Sequence, residues 1–302
     1  MTLSNVLKSQ LSPKTKRRLR SLVDGARRAP SSFLSQCLRA KTVSSSFLSR
    51  LDPVASDVAE RLMTQLLERR MNKRVRREWV DAATPPHHSF NNYGAFRLAM
   101  LPETVGAFPF LRGFLAMMAI EDGDKVLDIS CGDGFFSKRF FATKASHVDA
   151  FDIEGYAIEM ANRYNADSRV SFSVRDAIND PFPSSDYDVI IWDGGIAHFP
   201  PGTNDLMMTK IRAALKHGGL FVGSESLGFD GSADHLQRWM DESEVHAMLS
   251  PHFKFVEVYT TSYFYNLDHS GKRGEFYWRC SDSEAQLDRF KWKRAGANNK
   301  PS

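Results

Sequence analysis

Cysteine is scarce in this sequence of 302 residues. Only Cys37, Cys131 and Cys280 occur, far apart and with no CxxC pair. An odd, scattered set excludes a disulfide framework and a zinc site, and points to a reducing, cytoplasmic setting. Long hydrophobic runs are also missing. The most apolar stretch, Ala107 to Ile120, is short and broken by Arg112, whereas a membrane span needs about 20 apolar residues. Acidic residues are nearly absent from the first fifty positions, where Asp24 stands alone. That segment is basic and Ser-rich and lacks the apolar core of a secretory signal. An organellar transit peptide shares this composition, but a basic arm on a cytoplasmic enzyme fits it better.

The charge that is present is unevenly placed. Residues 1–80 hold 18 Lys and Arg against 6 Asp and Glu, while the remainder holds 22 against 30. The overall charge of +4 therefore hides a basic N-terminal third on an acidic body. Such asymmetry suits an anionic surface, nucleic acid or glycolipid headgroup, although a solvated helix face accounts for it equally well. Val58, Leu62, Leu66 and Met71 predict one helix over 56–81, with Arg69, Arg70, Lys73, Arg74, Arg76 and Arg77 loading its last turns. The segment 84–93 contains Pro85, Pro86, His87, His88, Asn91, Asn92 and Tyr93. Its prolines stop that helix, and its polar and aromatic character suits either a lid or an interdomain loop.

Beyond a further helix at about 108–120 the pattern changes. Short β-rich runs at 125–130, 147–152, 169–174, 187–193 and 218–224 alternate with helical segments at about 134–143, 155–164 and 203–216. That alternation predicts an α/β domain with a parallel sheet and crossover helices. Gly218 and Gly219 are placed to cap the last of these helices. Two further β runs, 254–263 and 274–281, are joined by a loop with Gly271 and predict an antiparallel hairpin. The domain organisation read from this is a basic, mainly helical extension over 1–105, a nucleotide-type domain over 106–283 and a polar tail over 284–302.

The strongest motif runs from Val126 to Phe136. An apolar strand carries Asp128 near its end, the small-residue turn Ser130-Cys131-Gly132-Asp133-Gly134 follows, and a helix begins. Glycines in such a turn let the backbone approach a ligand. Asp152 ends the second strand, where an acid can accept the hydroxyls of an adenosine ribose. Asp176 follows the third strand and can accept a proton from an adenine amino group. Asp193 ends the fourth strand, at the edge where open α/β sheets bind ligands. Any one of these acids could be a capping carboxylate; four at successive strand ends are harder to dismiss.

With these residues in place, the sequence resembles the class I S-adenosylmethionine-dependent methyltransferases, whose motif is typically VLDxGCGxG, over roughly 120–281. The resemblance implies a Rossmann-like, seven-stranded, mostly parallel sheet of order 3-2-1-4-5-7-6 with strand 7 antiparallel. It implies S-adenosylmethionine as cofactor. Asp128, Ser130, Gly132 and Gly134 are implied near its methionine part, Asp152 and Ile153 at the ribose, Asp176 and Ala177 at the adenine edge, and Asp193 at the methyl-transfer site. Ser130 stands where the family usually has its first glycine. A nicotinamide-dinucleotide site fits less well, because its third glycine would fall on Ser137 or Phe135.

The acceptor is less legible. His198, just past the fourth strand, is the best candidate for a general base, since imidazole transfers protons near neutral pH. It could equally pack or cap a loop. Glu225, at the end of the fifth strand, is a second group that could face the pocket. Asp234-His235 and Asp268-His269 are sequence neighbours that do not aim at each other. The tetrapeptide Asp193-Gly194-Gly195-Ile196 differs from the Asn/Asp-Pro-Pro-aromatic run typical of enzymes that methylate DNA amino groups. A loose similarity to bacterial methyltransferases of surface-polysaccharide and secondary-metabolite pathways implies a small-molecule or glycan acceptor, at oxygen. The alternatives are an RNA methyltransferase gripping phosphates with the basic arm, and a binding protein that kept the fold without catalysis.

Overall fold

The computed structural model describes residues 110–228, 235–264, 272–287 and 289. The basic extension, the helix expected over 56–81, the lid-like segment 84–93, Asp234, Asp268 and His269 lie outside the described residues. The described chain opens with helix α1 (Leu111–Met118). There follow β1 (Lys125–Ile129), α2 (Phe135–Arg139), β2 (His147–Asp152), α3 (Gly155–Tyr164), β3 (Val170–Val174) and β4 (Tyr187–Asp193). The order continues with α4 (Asn204–Ala214), β5 (Leu215–Leu227), α5 (Glu242–Leu249), β6 (Phe255–Phe264), β7 (Lys272–Ser281) and α6 (Glu284–Leu287).

The seven strands form one sheet of order β3-β2-β1-β4-β5-β7-β6. β1 to β5 pair in parallel, and β7 runs antiparallel to both β5 and β6. This is the order that the family resemblance implies. The chain reverses its direction of winding between β1 and β4, so their carboxyl ends flank the crevice where such sheets bind ligands.

Alternating side chains along the central strands bury both faces. Leu127, Ile129, Ile190 and Trp192 pack on the face covered by α4 and α5. Val126, Val148, Ala150, Val189 and Ile191 pack on the other face with Ala116 and Ala119. The same alternation carries Asp128, Asp152 and Asp193 onto that second face, at the ends of three adjoining strands. Among the described residues no helix is long and apolar enough to cross a membrane.

Several local features differ from expectation. The helix expected over 134–143 is a five-residue helix followed by a 3-10 turn, Phe141–Thr143. Breaking the helix there buries Phe141 and Ala142 completely. Helix α4 ends at Ala214, and Leu215 is already extended. Gly218 takes φ +73 inside the irregular start of β5, where the pairing with β4 slips between Tyr187 and Val189, so it is a bulge residue and not a helix cap. Helix α5 was not anticipated. Asp241 caps it by accepting the N–H groups of Ser243 (2.9 Å) and Glu244 (3.1 Å), while Glu244 accepts the Met240 N–H. At the other end, α6 buries Leu287, and Arg279 donates to the Leu287 carbonyl, so packing continues past residue 283.

Ser130 adopts φ +61, a left-handed conformation that costs an L-residue about 1–2 kcal/mol. Ser130→Gly should therefore raise the unfolding free energy by about 0.5–1 kcal/mol after the extra entropy of the unfolded chain, and Ser130→Val should lower it. Urea denaturation of both variants checks this. A fall on Ser130→Gly would show that contacts of the serine outweigh its strain.

Candidate active site

Three of the five residues that link β1 to α2 are left-handed: Ser130 (φ +61), Gly132 (φ +56) and Gly134 (φ +68). The two glycines serve different ends. A Cβ on Gly134 would stand 2.5 Å from the Phe172 ring and 3.0 Å from Ala161, so this glycine is required by packing of the turn on β3 and α3. A Cβ on Gly132 would meet nothing within 4 Å. Its backbone is bare toward the crevice, and its N–H donates to Asp152 Oδ2 at 2.9 Å. The turn after β4 closes in from the other side. A Cβ on Gly195 would stand 2.9 Å from both Ser130 Cβ and Trp192 Nε1, so the two turns touch only because residue 195 has no side chain.

The four sequence-predicted carboxylates fall into different environments. Asp152 is buried, and its other oxygen accepts the Glu154 N–H at 2.9 Å. Each oxygen keeps a lone pair for a further donor. Ile153 beside it is largely exposed, an apolar surface next to the acid. Asp128 turns away from the turn and accepts the Ser137 hydroxyl at 2.6 Å. Burial, with the charges of Asp193 and Asp152 adding to it, pushes Asp128 up to about 7 against that hydrogen bond.

Asp193 is pushed up to about 6 by burial, opposed by the Arg112 guanidinium and by the Ser224 hydroxyl that donates to Oδ1. Its Oδ2 is buried and has no hydrogen-bond partner among the described residues. Asp176 stands one strand further out. Burial works against its charge, yet the Asn179 amide (2.6 Å) and the Ile178 N–H (2.8 Å) outweigh it and hold the carboxyl below its ordinary range. Asp176 thus caps its own loop, and Lys210 of α4 fastens that loop by donating to the Ala177 carbonyl.

The structure therefore brings Asp128, Asp152 and Asp193 together with Gly132, and leaves Asp176 and Ala177 at the outer end of the same edge. His198 closes a 3-10 turn, Ile196–His198, and is exposed. Its ring lies edge to face with that of His235, with centroids 4.8 Å apart. The Leu236 and Gln237 N–H groups both donate to the Ala197 carbonyl, at 2.8 and 3.1 Å, and strap the two segments together. Glu225 does not face the crevice as expected. Its carboxylate accepts the N–H groups of Ser226 (2.7 Å) and Ala197 (3.3 Å) and braces the turn after β4.

Two residues at this edge were not singled out in the sequence. Arg112 of α1 donates from Nε to Glu275 Oε1 at 2.6 Å, and Glu275 of β7 is fully buried. The one available signal was a lone arginine inside the apolar stretch 107–120.

Residues 126–219 match the family model of a methyltransferase domain. A 27-O-demethylrifamycin SV methyltransferase of Amycolatopsis mediterranei is 31% identical over 88 residues, covering 28% of this chain and 32% of that protein. A sterol 24-C-methyltransferase of Gibberella zeae is 28% identical over 108 residues, covering 34% of this chain and 28% of that protein. A solved phosphoethanolamine N-methyltransferase 2 of Haemonchus contortus, in complex with S-adenosylhomocysteine, superposes with a TM-score of 0.45 at 14% identity, covering 55% of this chain and 50% of that one. The chain spans about a third of the length of the curated relatives it matches. The match over 126–219 and the strand order β3-β2-β1-β4-β5-β7-β6 support a methyltransferase domain of the class I S-adenosylmethionine-dependent kind in this part of the chain.

Proposed function

We propose that this protein transfers a methyl group from S-adenosylmethionine to an oxygen of a small-molecule or glycan acceptor. The observation that carries the reading is the junction of the Gly132 backbone with Asp152 at the mouth of the crevice, with Asp193 across from it at the end of β4. These residues fit the cofactor. Gly132 has open space where a side chain would stand, Asp152 has lone pairs left for ribose hydroxyls, and Ile153 offers an apolar face to a base.

When bound, S-adenosylmethionine supplies an electrophilic methyl group on a sulfonium. The residues of this chain then have two tasks. Asp152, Ile153, Ala177 and Asp176 hold the nucleoside along the edge from β2 to β3, while Gly132 leaves its backbone free to be approached. Asp193 lines the place of transfer, and His198, from the turn that follows, removes the proton of the acceptor hydroxyl. A hydroxyl needs such a base, which supports oxygen over nitrogen. The 27-O-demethylrifamycin methyltransferase relative supports oxygen too, whereas the sterol 24-C-methyltransferase relative acts at carbon.

Calorimetry with S-adenosylmethionine tests the cofactor. Asp152→Asn should weaken binding at least tenfold, about 1.4 kcal/mol, and a wild-type protein that binds neither S-adenosylmethionine nor S-adenosylhomocysteine would sink the proposal. His198→Ala should cut turnover at least tenfold with little change in cofactor affinity, and unchanged turnover rules out its role as base. Labelled cofactor offered with fractionated glycans, small metabolites and RNA identifies the acceptor; transfer to RNA alone overturns the acceptor class.

A further inference from the structure

Buried charge is concentrated at one spot that the proposed chemistry leaves unused. Arg112 reaches from α1 to the carboxyl edge, where its Nε and Nη2 both meet Glu275 Oε1. Glu275 cannot move away. Its Oε2 accepts the hydroxyls of Tyr263 (2.5 Å) and Tyr277 (3.1 Å), from β6 and β7. The guanidinium is also pressed against the turn after β4. A Cβ on Gly194 would stand 2.0 Å from Arg112 Nη1, so residue 194 must lack a side chain for the arginine to lie there, and its φ of +69 suits glycine as well. Gly194 immediately follows Asp193.

The groups that act on Asp193 by charge or hydrogen bond come from several elements around it. They are Arg112 from α1, Ser224 and Glu225 from β5, Glu275 and Tyr277 from β7, and Asp128 from β1. Among the charged groups acting most strongly on Asp193, Arg112 alone is positive. Burial works against the charge of Arg112 itself, but Glu275, Glu225 and Asp193 more than compensate, so it stays protonated throughout.

We propose that Arg112, braced on Glu275, is a positioning residue that keeps Asp193 an ionised carboxylate, with Oδ2 turned to a hydrogen-bond donor or cationic group of the ligand. The proposal rests on the reading that Asp193 lines the methyl-transfer site. A protonated Asp193 loses the full negative charge that complements a cation, so the site weakens as pH falls through the Asp193 titration near 6. Removing the positive charge at residue 112 raises that titration. Removing the negative charge at residue 275 lowers it. The two halves of one ion pair therefore move the acid limb in opposite directions, which damage to packing alone does not do.

The test is the pH profile of S-adenosylmethionine binding by calorimetry between pH 5 and 9, which needs no acceptor. Wild type should lose affinity below about pH 6, and Asp193→Asn should flatten that limb. Arg112→Gln should move it up by about one pH unit, Glu275→Gln should move it down, and Arg112→Lys should stay close to wild type. Should Arg112→Gln not fold, the Arg112→Gln/Glu275→Gln double variant keeps a neutral hydrogen-bonded pair. Its limb should still move up, by less, because the arginine acts on Asp193 more strongly than the glutamate does. If Asp193→Asn keeps the wild-type limb, the placement of Asp193 fails. If Asp193→Asn removes the limb but the Arg112 and Glu275 variants leave it in place or move it the same way, the role of Arg112 is overturned and the placement of Asp193 stands.

Discussion

Between Ile129 and Phe135 the chain leaves a strand and enters a helix within five residues, and it does so without covering its own backbone. Three left-handed residues make this geometry. They swing the Gly132 N–H onto Asp152, which ties the end of β1 to the end of β2, and they press Gly134 against Phe172 and Ala161, which ties the same turn to β3 and α3. The contact of Ser130 with Gly195 adds the turn after β4. Four strand ends are thereby held against one short segment. Displacing that segment would shift the Gly132 backbone, the Asp152 carboxylate and the β4 turn together.

The acids along this edge are not equivalent. Asp176, at the outer strand, sits among N–H donors near solvent and holds its charge below the ordinary range. Asp128 and Asp193, on the inner strands, stand beside other carboxylates, and desolvation pushes them up to about 7 and about 6. Desolvation explains the difference, since a buried carboxylate keeps its charge only where donors or cations replace water. Ser137 supplies one donor to Asp128, and Ser224 one to Asp193. Neither replaces the hydration of a full charge, and the inner end of the crevice is consequently where a cationic ligand changes the electrostatics most.

Much of this was readable from the sequence, for local reasons. Val126–Ile129 and Tyr187–Asp193 are apolar runs that end in an acid and a small-residue turn, so both the strand and its functional end are written in adjacent positions. Ser130 stood out against the family motif, yet it adopts the left-handed backbone that a glycine would supply there. What could not be read were pairings between distant segments and weakly patterned elements. Arg112 and Glu275 are 163 positions apart. His198 and His235 meet only because the chain after β5 folds back on the turn after β4. Helix α5 buries just Val245 and Leu249, and its clearest signal is the cap at Asp241, not an apolar stripe. Gly218 misled because a left-handed glycine serves a strand bulge as well as a helix end.

The Arg112–Glu275 pair is poorly explained by stability. A buried ion pair roughly balances its attraction against the desolvation of both ions, and apolar residues of similar volume often replace it at no loss. An apolar substitute for Arg112 would nevertheless leave Asp193 under the negative charges of Glu275, Glu225 and Asp128 with no positive charge among its strongest neighbours, and would drive it toward the neutral acid. Glu275, in turn, is what fixes the guanidinium, since Tyr263 and Tyr277 hold the carboxylate from the far side. The pair therefore makes physical sense as a support for one carboxylate at the end of β4, and the absence of a side chain at Gly194 is the steric condition for it.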